Sequence, residues 1–200
     1  MKKSYLVSII VVAFLALIIL SIVLWATKVY NGMVTMQESV TGQWGNVETA
    51  YQRRADLIPN FVNTVKGAAN FEQTTLTQVI EARSKATSVT IDPTKMTAEN
   101  MQQFQQAQGE VSSALSRLMV VVERYPELRA TQNFRDLQVE LEGTENRISV
   151  ERKKFNDVAL IYNTNIRRFP QNIVAKKYDF QMKPYFEAEK GAETAPEVTF

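Results

Sequence analysis

Apolar positions follow two patterns along this chain. The first is a solid block, "SYLVSIIVVAFLALIILSIVLWA" from Ser4 to Ala26, free of charge and interrupted only by Ser4, Ser8 and Ser21. At 1.5 Å per residue, a helix of this length crosses the ~30 Å hydrocarbon core of a bilayer. A cleaved signal sequence has an apolar region of only about 7–15 residues and small residues before the cut. Leu24 and Trp25 occupy that neighbourhood here. Trp25 and Tyr30 are rings suited to the membrane interface. The block predicts an uncleaved anchor. Lys2, Lys3 and the α-amino group precede it and Lys28 alone follows closely, so the positive-inside rule places the N-terminus in the cytoplasm and the rest of the chain outside.

The second pattern is a set of four stripes at steps of three and four, the period of a helix buried on one face. Trp44, Val47, Tyr51, Ile58, Phe61 and Val65 mark a first helix from about Lys28 to Lys66. "GAAN" then supplies a stop at Gly67 and a cap at Asn70, with Gln73 in the capping-box position. A second helix, Phe71 to Ala86, carries Leu76, Val79, Ile80 and Ala86. Pro93 disfavours helix at Asp92, and Thr97 offers the next cap. The third stripe is Met101, Phe104, Val111, Leu115, Leu118 and Val122, with Gln108 its polar exception, and it breaks near Pro126. The fourth is Phe134, Leu137, Leu141, Ile148, Phe155, Val158, Tyr162 and Phe169, with Thr144 and Glu151 as exceptions, and Pro170 ends it.

Each stripe needs a partner, and four antiparallel helices joined by short turns bury all of them. The expected fold is all-α: an N-terminal transmembrane helix followed by an antiparallel four-helix bundle with long helices. Its parts are an anchor over 1–27, a helical bundle domain over 28–172 and a C-terminal tail over 173–200. Tyr178, Phe180, Tyr185 and Phe186 in the tail predict partial packing on the bundle, before a disordered "GAETAPEVTF" end.

Composition narrows the chemistry. The chain has no histidine and no cysteine. That excludes thiol chemistry, the imidazole general base, Cys/His zinc sites and disulfides. Formal charge is +2, and setting aside Lys2 and Lys3 leaves basic residues equal in number to the 21 acidic ones. A balanced domain lacks the basic face that nucleic acid requires. No phosphate loop, dinucleotide fingerprint or metal spacing occurs, so no catalytic residue, metal or cofactor is assigned. Glu142, Glu145 and Glu151 offer carboxylates for a glycosidase-like pair, but their setting in "ELEGTENRISVERKK" reads as a solvated, salt-bridged helix face with Arg147 and Glu151 at i,i+4.

The stretch "QRRADLIPNF" is the exception to this blandness. Pro59 in a helix interior costs about 3 kcal/mol and releases the carbonyl four residues earlier. It predicts a structural kink. Arg54 lies on the apolar seam between Tyr51 and Ile58 and must snorkel or pair. With the first and fourth helices antiparallel and Lys66 level with Thr131, its partner is Glu142 or Glu145. Arg53, Asp56 and Asn60 form a polar ridge beside the seam. The ridge admits two readings, a weak Arg53–Asp56 surface pair beside an ordinary kink, or a partner-binding site.

These residues carry a family resemblance. "VYNGMVTMQESVTGQWGNVETAYQRRADLIPNFVNTVKGAANFE", "EARSKAT", "FNDVALIYNTNIRRFPQNIVA" and the closing "YFEAE" resemble the LemA family over nearly the whole span from Tyr30 to Glu187. The resemblance implies a single-pass bacterial membrane protein with a helical bundle domain and no established enzymatic activity, and the orientation read from the charges then puts the bundle on the periplasmic side of the inner membrane. It further implies a scaffold or adaptor role toward other envelope proteins, membrane metalloproteases among them. A self-assembling structural homo-oligomer is the alternative, and a carboxylate-dependent cell-wall glycan hydrolase a more distant one.

Overall fold

A computed structural model of the chain describes residues 2–67 and 72–187. Those residues form helices α1 (Lys2–Lys66), α2 (Gln73–Ser88), α3 (Ala98–Val122), α4 (Pro126–Arg129), α5 (Gln132–Arg167) and α6 (Gln171–Lys177), with a 3-10 turn at Pro93–Lys95. The apolar block and the first stripe belong to one helix, because nothing between Ala26 and Trp44 breaks the backbone pattern. Asn70 and the "GAETAPEVTF" end lie outside the described residues. α2 starts at Gln73, with Glu72 in the cap position and no side-chain cap. Thr97 caps α3 through a capping box with Asn100.

The chain divides into two compact units. One comprises Val40–Ala159 and 183–187. In it the stripe residues meet: Trp44, Val47, Ile58, Phe61, Met101, Leu118, Phe134 and Phe155 are all buried, each side chain of this size contributing about 1.5–3 kcal/mol. α1 and α5 run antiparallel, for Trp44 meets Phe155 (ring centroids 5.6 Å apart) while Phe61 meets Phe134 (5.2 Å). α2 and α3 do so too, with Lys85 paired to Glu110 at 2.8 Å and Glu72 to Arg124 at 3.3 Å. These four segments are the expected antiparallel four-helix bundle.

Two stripe positions need correction. Ile80 is 50% exposed, since Leu76, Val79 and Ala86 already fill the narrow buried face of α2, joined by Thr75. Phe169 is 76% exposed, because α5 ends at Arg167 and the helical phase ends with it.

The closing segment is strapped onto this unit. Phe186 lies among Trp44 and Phe155, and Asn156 brackets its backbone, donating to the Phe186 carbonyl at 2.9 Å and accepting from its N–H at 2.8 Å. The buried Lys183 ammonium donates to the Pro93 carbonyl at 2.8 Å. Burial holds it below the ordinary lysine value, against the pull of Asp92.

The other unit comprises 2–39 and Leu160–Met182. Every side chain of α1 from Tyr5 to Trp25 is exposed, and burial begins at Ala26. This is the one helix among the described residues long and apolar enough to cross a membrane. Past α6, Asp179 takes a left-handed turn at φ 56°, a conformation for which Asp is enriched. Phe180 N–H then donates back to the Ala175 carbonyl at 3.0 Å, and Tyr178 and Phe180 pack on Tyr30 at 4.8 and 5.6 Å between centroids. Tyr162 donates its hydroxyl to the Gln181 carbonyl at 2.9 Å, and burial pushes it up to about 12.

Candidate partner-binding site

The polar residues of α1 around Pro59 line an open groove of about 760 Å³ between α1 and α2, whose apolar floor includes Leu57, Ile58 and Phe104. Arg53, Asp56 and Asn60 are exposed along it. The Arg53–Asp56 surface pair, one of the two readings of the ridge, does not form. Arg53 turns to α5 and pairs with Glu140 at 2.8 Å, while Asp56 accepts from Gln52 one turn earlier at 2.8 Å. Both alternatives offer extended side chains a partner without crowding the ridge, and the i,i+4 spacing of Gln52 suits Asp56. Because the Arg53–Glu140 pair is largely exposed, it fixes little energy and leaves the ridge free to exchange partners.

Arg54 is different, being only 2% exposed. Of the two carboxylates in range, Glu145 takes it, at 2.6 Å from Nη1. Nη1 also donates to Ser112 Oγ at 2.9 Å. Nη2 donates to the Gln108 carbonyl at 3.1 Å and to Gln108 Oε1 at 2.7 Å. The guanidinium carbon stands 5.1 Å from the Tyr51 ring centroid. Burying an ion costs several kcal/mol, so the site holds only because this set of partners satisfies the guanidinium. Gln108 in turn reaches the Ala86 carbonyl at 3.5 Å. One polar cluster therefore touches α1, α2, α3 and α5.

Pro59 stands inside α1, which continues to Lys66. The carbonyl that it releases belongs to Ala55, and Arg83 of α2 fills the vacancy with its Nε at 2.6 Å. Sequence reasoning missed Arg83. The usable signal was the orphaned acceptor itself, which calls for a donor on whichever helix packs beside it. The expected i,i+4 pair of Arg147 with Glu151 forms, but Glu151 is 1% exposed and does not lie on a solvated face. It accepts from Gln43 at 2.8 Å, Arg147 at 2.8 Å and Lys154 at 3.2 Å. The Gln43 amide, followed by the Lys154 ammonium, holds its carboxyl below the ordinary value in spite of burial. Glu142 accepts from Gln138 at 2.9 Å. The three glutamates weighed as a glycosidase pair are thus each engaged by different neighbours. Among the described residues no group of acidic side chains is placed to hold a metal ion.

The LemA family model matches residues 43–200, which include the ridge, the Arg54 cluster and the strapped closing segment. The chain belongs to the LemA family. This LemA family protein is 28% identical to the magnetosome protein MamQ of Magnetospirillum gryphiswaldense, over 92% of this chain and 75% of that protein. It is also 28% identical to MamQ 2 of Paramagnetospirillum magneticum, over 94% and 72% of the two chains. Protein LemA of Metamycoplasma hominis is 24% identical over 80% of this chain and 69% of its own.

Proposed function

We propose that this LemA family protein is a single-pass scaffold or adaptor of the bacterial cytoplasmic membrane. Its bundle lies outside the cytoplasm and holds other envelope proteins, membrane metalloproteases among them, at the α1–α2 groove. The observation that carries this reading is α1 itself: one helix holds an apolar span exposed on every side and, farther along, the seam of the bundle and the Pro59 ridge. The groove's chemistry suits a polypeptide partner, with a cation at Arg53, an anion at Asp56 and an amide at Asn60 beside an apolar floor. A bend at Pro59 that presents this ridge is part of the proposal. A binding role over a catalytic one is supported by Glu145 and Glu151, whose carboxylates are already taken by cations and amides.

Crosslinking in intact membranes followed by mass spectrometry tests it. Heterologous envelope proteins should be captured. Capture of further copies of this chain alone would replace the reading with a self-assembling structural protein. For orientation, a reporter active only outside the cytoplasm and fused after Phe200 should be active, and protease added to spheroplasts should digest the bundle. Protection of the bundle would place it in the cytoplasm.

A further inference from the structure

The strip from the end of α5 through α6 combines exposed apolar and basic side chains. Phe169 and Ile173 are 76% and 60% exposed. Arg167 and Arg168 stand immediately before Phe169, and Lys176 and Lys177 follow Ile173 at i+3 and i+4, on its face of α6. All four cations are exposed, and among the described residues none forms an ion pair, the Lys177 ammonium standing 5.5 Å from the Tyr178 ring centroid. The one acid between Leu160 and Met182 is Asp179, which is engaged by the Gln181 side chain. Val174 and Ala175, on the other side of α6, are buried.

The place of this strip on α1 decides what it faces. Tyr178 and Phe180, directly after α6, pack on Tyr30 in the same compact unit. Tyr30 follows Ala26, the last residue of the apolar block, by about one helical turn or roughly 6 Å, and burial of α1 begins at Ala26. The headgroup layer on each side of a bilayer is about 5–8 Å deep. With α1 spanning a bilayer, the contact that holds the strip therefore lies at headgroup depth. Apolar residues flanked by Arg and Lys are the composition of segments that lie in that layer.

We propose that residues 167–177 form a second membrane-binding element. Phe169 and Ile173 enter the interfacial layer, and Arg167, Arg168, Lys176 and Lys177 bind the phosphates of anionic phospholipids in the bilayer that α1 crosses. The inference rests on α1 being a membrane span, and the test separates the two. The native chain has no cysteine, so one introduced thiol carries one nitroxide. Full-length protein is placed in nanodiscs of equimolar phosphatidylglycerol and phosphatidylcholine, with the label at Ile173→Cys, at Ile19→Cys in the span, or at Val139→Cys, an exposed position on the bundle unit. Collision rates with oxygen and with a water-soluble nickel complex are compared. The oxygen-to-nickel ratio at Ile173→Cys should exceed that at Val139→Cys several-fold. It should fall toward the Val139→Cys level in pure phosphatidylcholine, and when Arg167, Arg168, Lys176 and Lys177 are all changed to Glu. A lipid-like ratio at Ile19→Cys with an aqueous one at Ile173→Cys overturns the second element alone. Aqueous ratios at both overturn the span as well. A lipid-like ratio at Ile173→Cys that neither the lipid swap nor charge reversal alters overturns the anionic-headgroup assignment.

Discussion

Arg83 donates its Nε–H to the Ala55 carbonyl at 2.6 Å, the acceptor that Pro59 leaves without its helical partner. A proline inside α1, about two turns before its end at Lys66, is tolerable because a neighbouring helix repairs the backbone. Ala55 is nearly buried, at 9% exposure, so its carbonyl has little other recourse.

The repair predicts a coupling. Arg83→Leu strands a buried acceptor and should cost about 1–3 kcal/mol. In a Pro59→Ala background the restored N–H at position 59 satisfies that acceptor, so the same change should cost under about 1 kcal/mol. Pro59→Ala alone should leave stability unchanged or raised. Urea titrations of the four full-length proteins in detergent give the cycle, and equal costs of Arg83→Leu in both backgrounds would show that Arg83 does not serve this carbonyl.

The Arg54 cluster should be the most sensitive polar position in the bundle. Arg54→Ala opens a cavity at a buried position and leaves the buried Gln108 carbonyl and amide oxygens without their donor, which predicts a loss of about 2–5 kcal/mol. Glu145→Gln takes the counter-charge from the buried guanidinium but keeps an acceptor for it at a half-exposed position, beside the Ser112 and Gln108 acceptors, and should cost less. Thermal unfolding by circular dichroism checks the order, and an Arg54→Ala protein as stable as Glu145→Gln would remove the cluster from the bundle's supports.

How far the chain could be read follows from which interactions are local. Trp44, Phe104 and Phe155 were legible because burial on one helical face imposes a period of three and four whatever the partner. The polar exceptions Arg54, Gln108 and Glu151 were visible as exceptions, but their partners depend on the register of helices far apart in sequence. An assumed antiparallel register narrowed Arg54 to two glutamates, while nothing local linked Glu151 to Gln43. Arg83 was invisible because its acceptor is a backbone carbonyl, identical in every residue. Phe169 was misplaced by extending a stripe past Arg167, where the helix had already ended. The groove beside the ridge depends on how α1 and α2 separate, which no spacing within either helix encodes.

Glu151 gives the bundle an acid-sensitive term of definite sign. Its folded carboxyl titrates below the ordinary 4.5, so the unfolded chain binds more protons in the window between the two values. The stabilisation is complete above the ordinary value and is lost as pH falls through the depressed folded one. Glu151→Gln should therefore lower stability at neutral pH, and its deficit against the native chain should shrink as pH drops below 4.5. Urea midpoints of both proteins over this range provide the check, and a deficit independent of pH would assign the effect to lost packing.

Gly42, Gly45 and Gly143, inside helices of the bundle unit, are exposed and have open space where a Cβ would stand, and two of them, Gly42 and Gly143, serve as tests. Alanine restricts the unfolded chain and favours helix, so Gly42→Ala and Gly143→Ala should each raise stability by about 0.5–1 kcal/mol. A rise in the urea midpoint without a change in slope is the expected signature. A loss at either site would show that the glycine accommodates a close neighbour there.

The ridge itself should separate folding from binding. Arg53 and Glu140 are exposed partners whose pair contributes about 0–1 kcal/mol, and the same range holds for the surface contact of Asp56 with Gln52. The double change Arg53→Ala and Asp56→Ala should therefore unfold within about 1 kcal/mol of the native chain. Its effect should appear instead in membrane crosslinking, because the groove loses the cation and the anion that flank its apolar floor. The expected result is loss of the captured envelope protein from a variant that folds and reaches the membrane normally. Undiminished capture by that variant, with Pro59→Ala also capturing at the native yield, would make the ridge a solvated surface and move the partner to another face of the bundle.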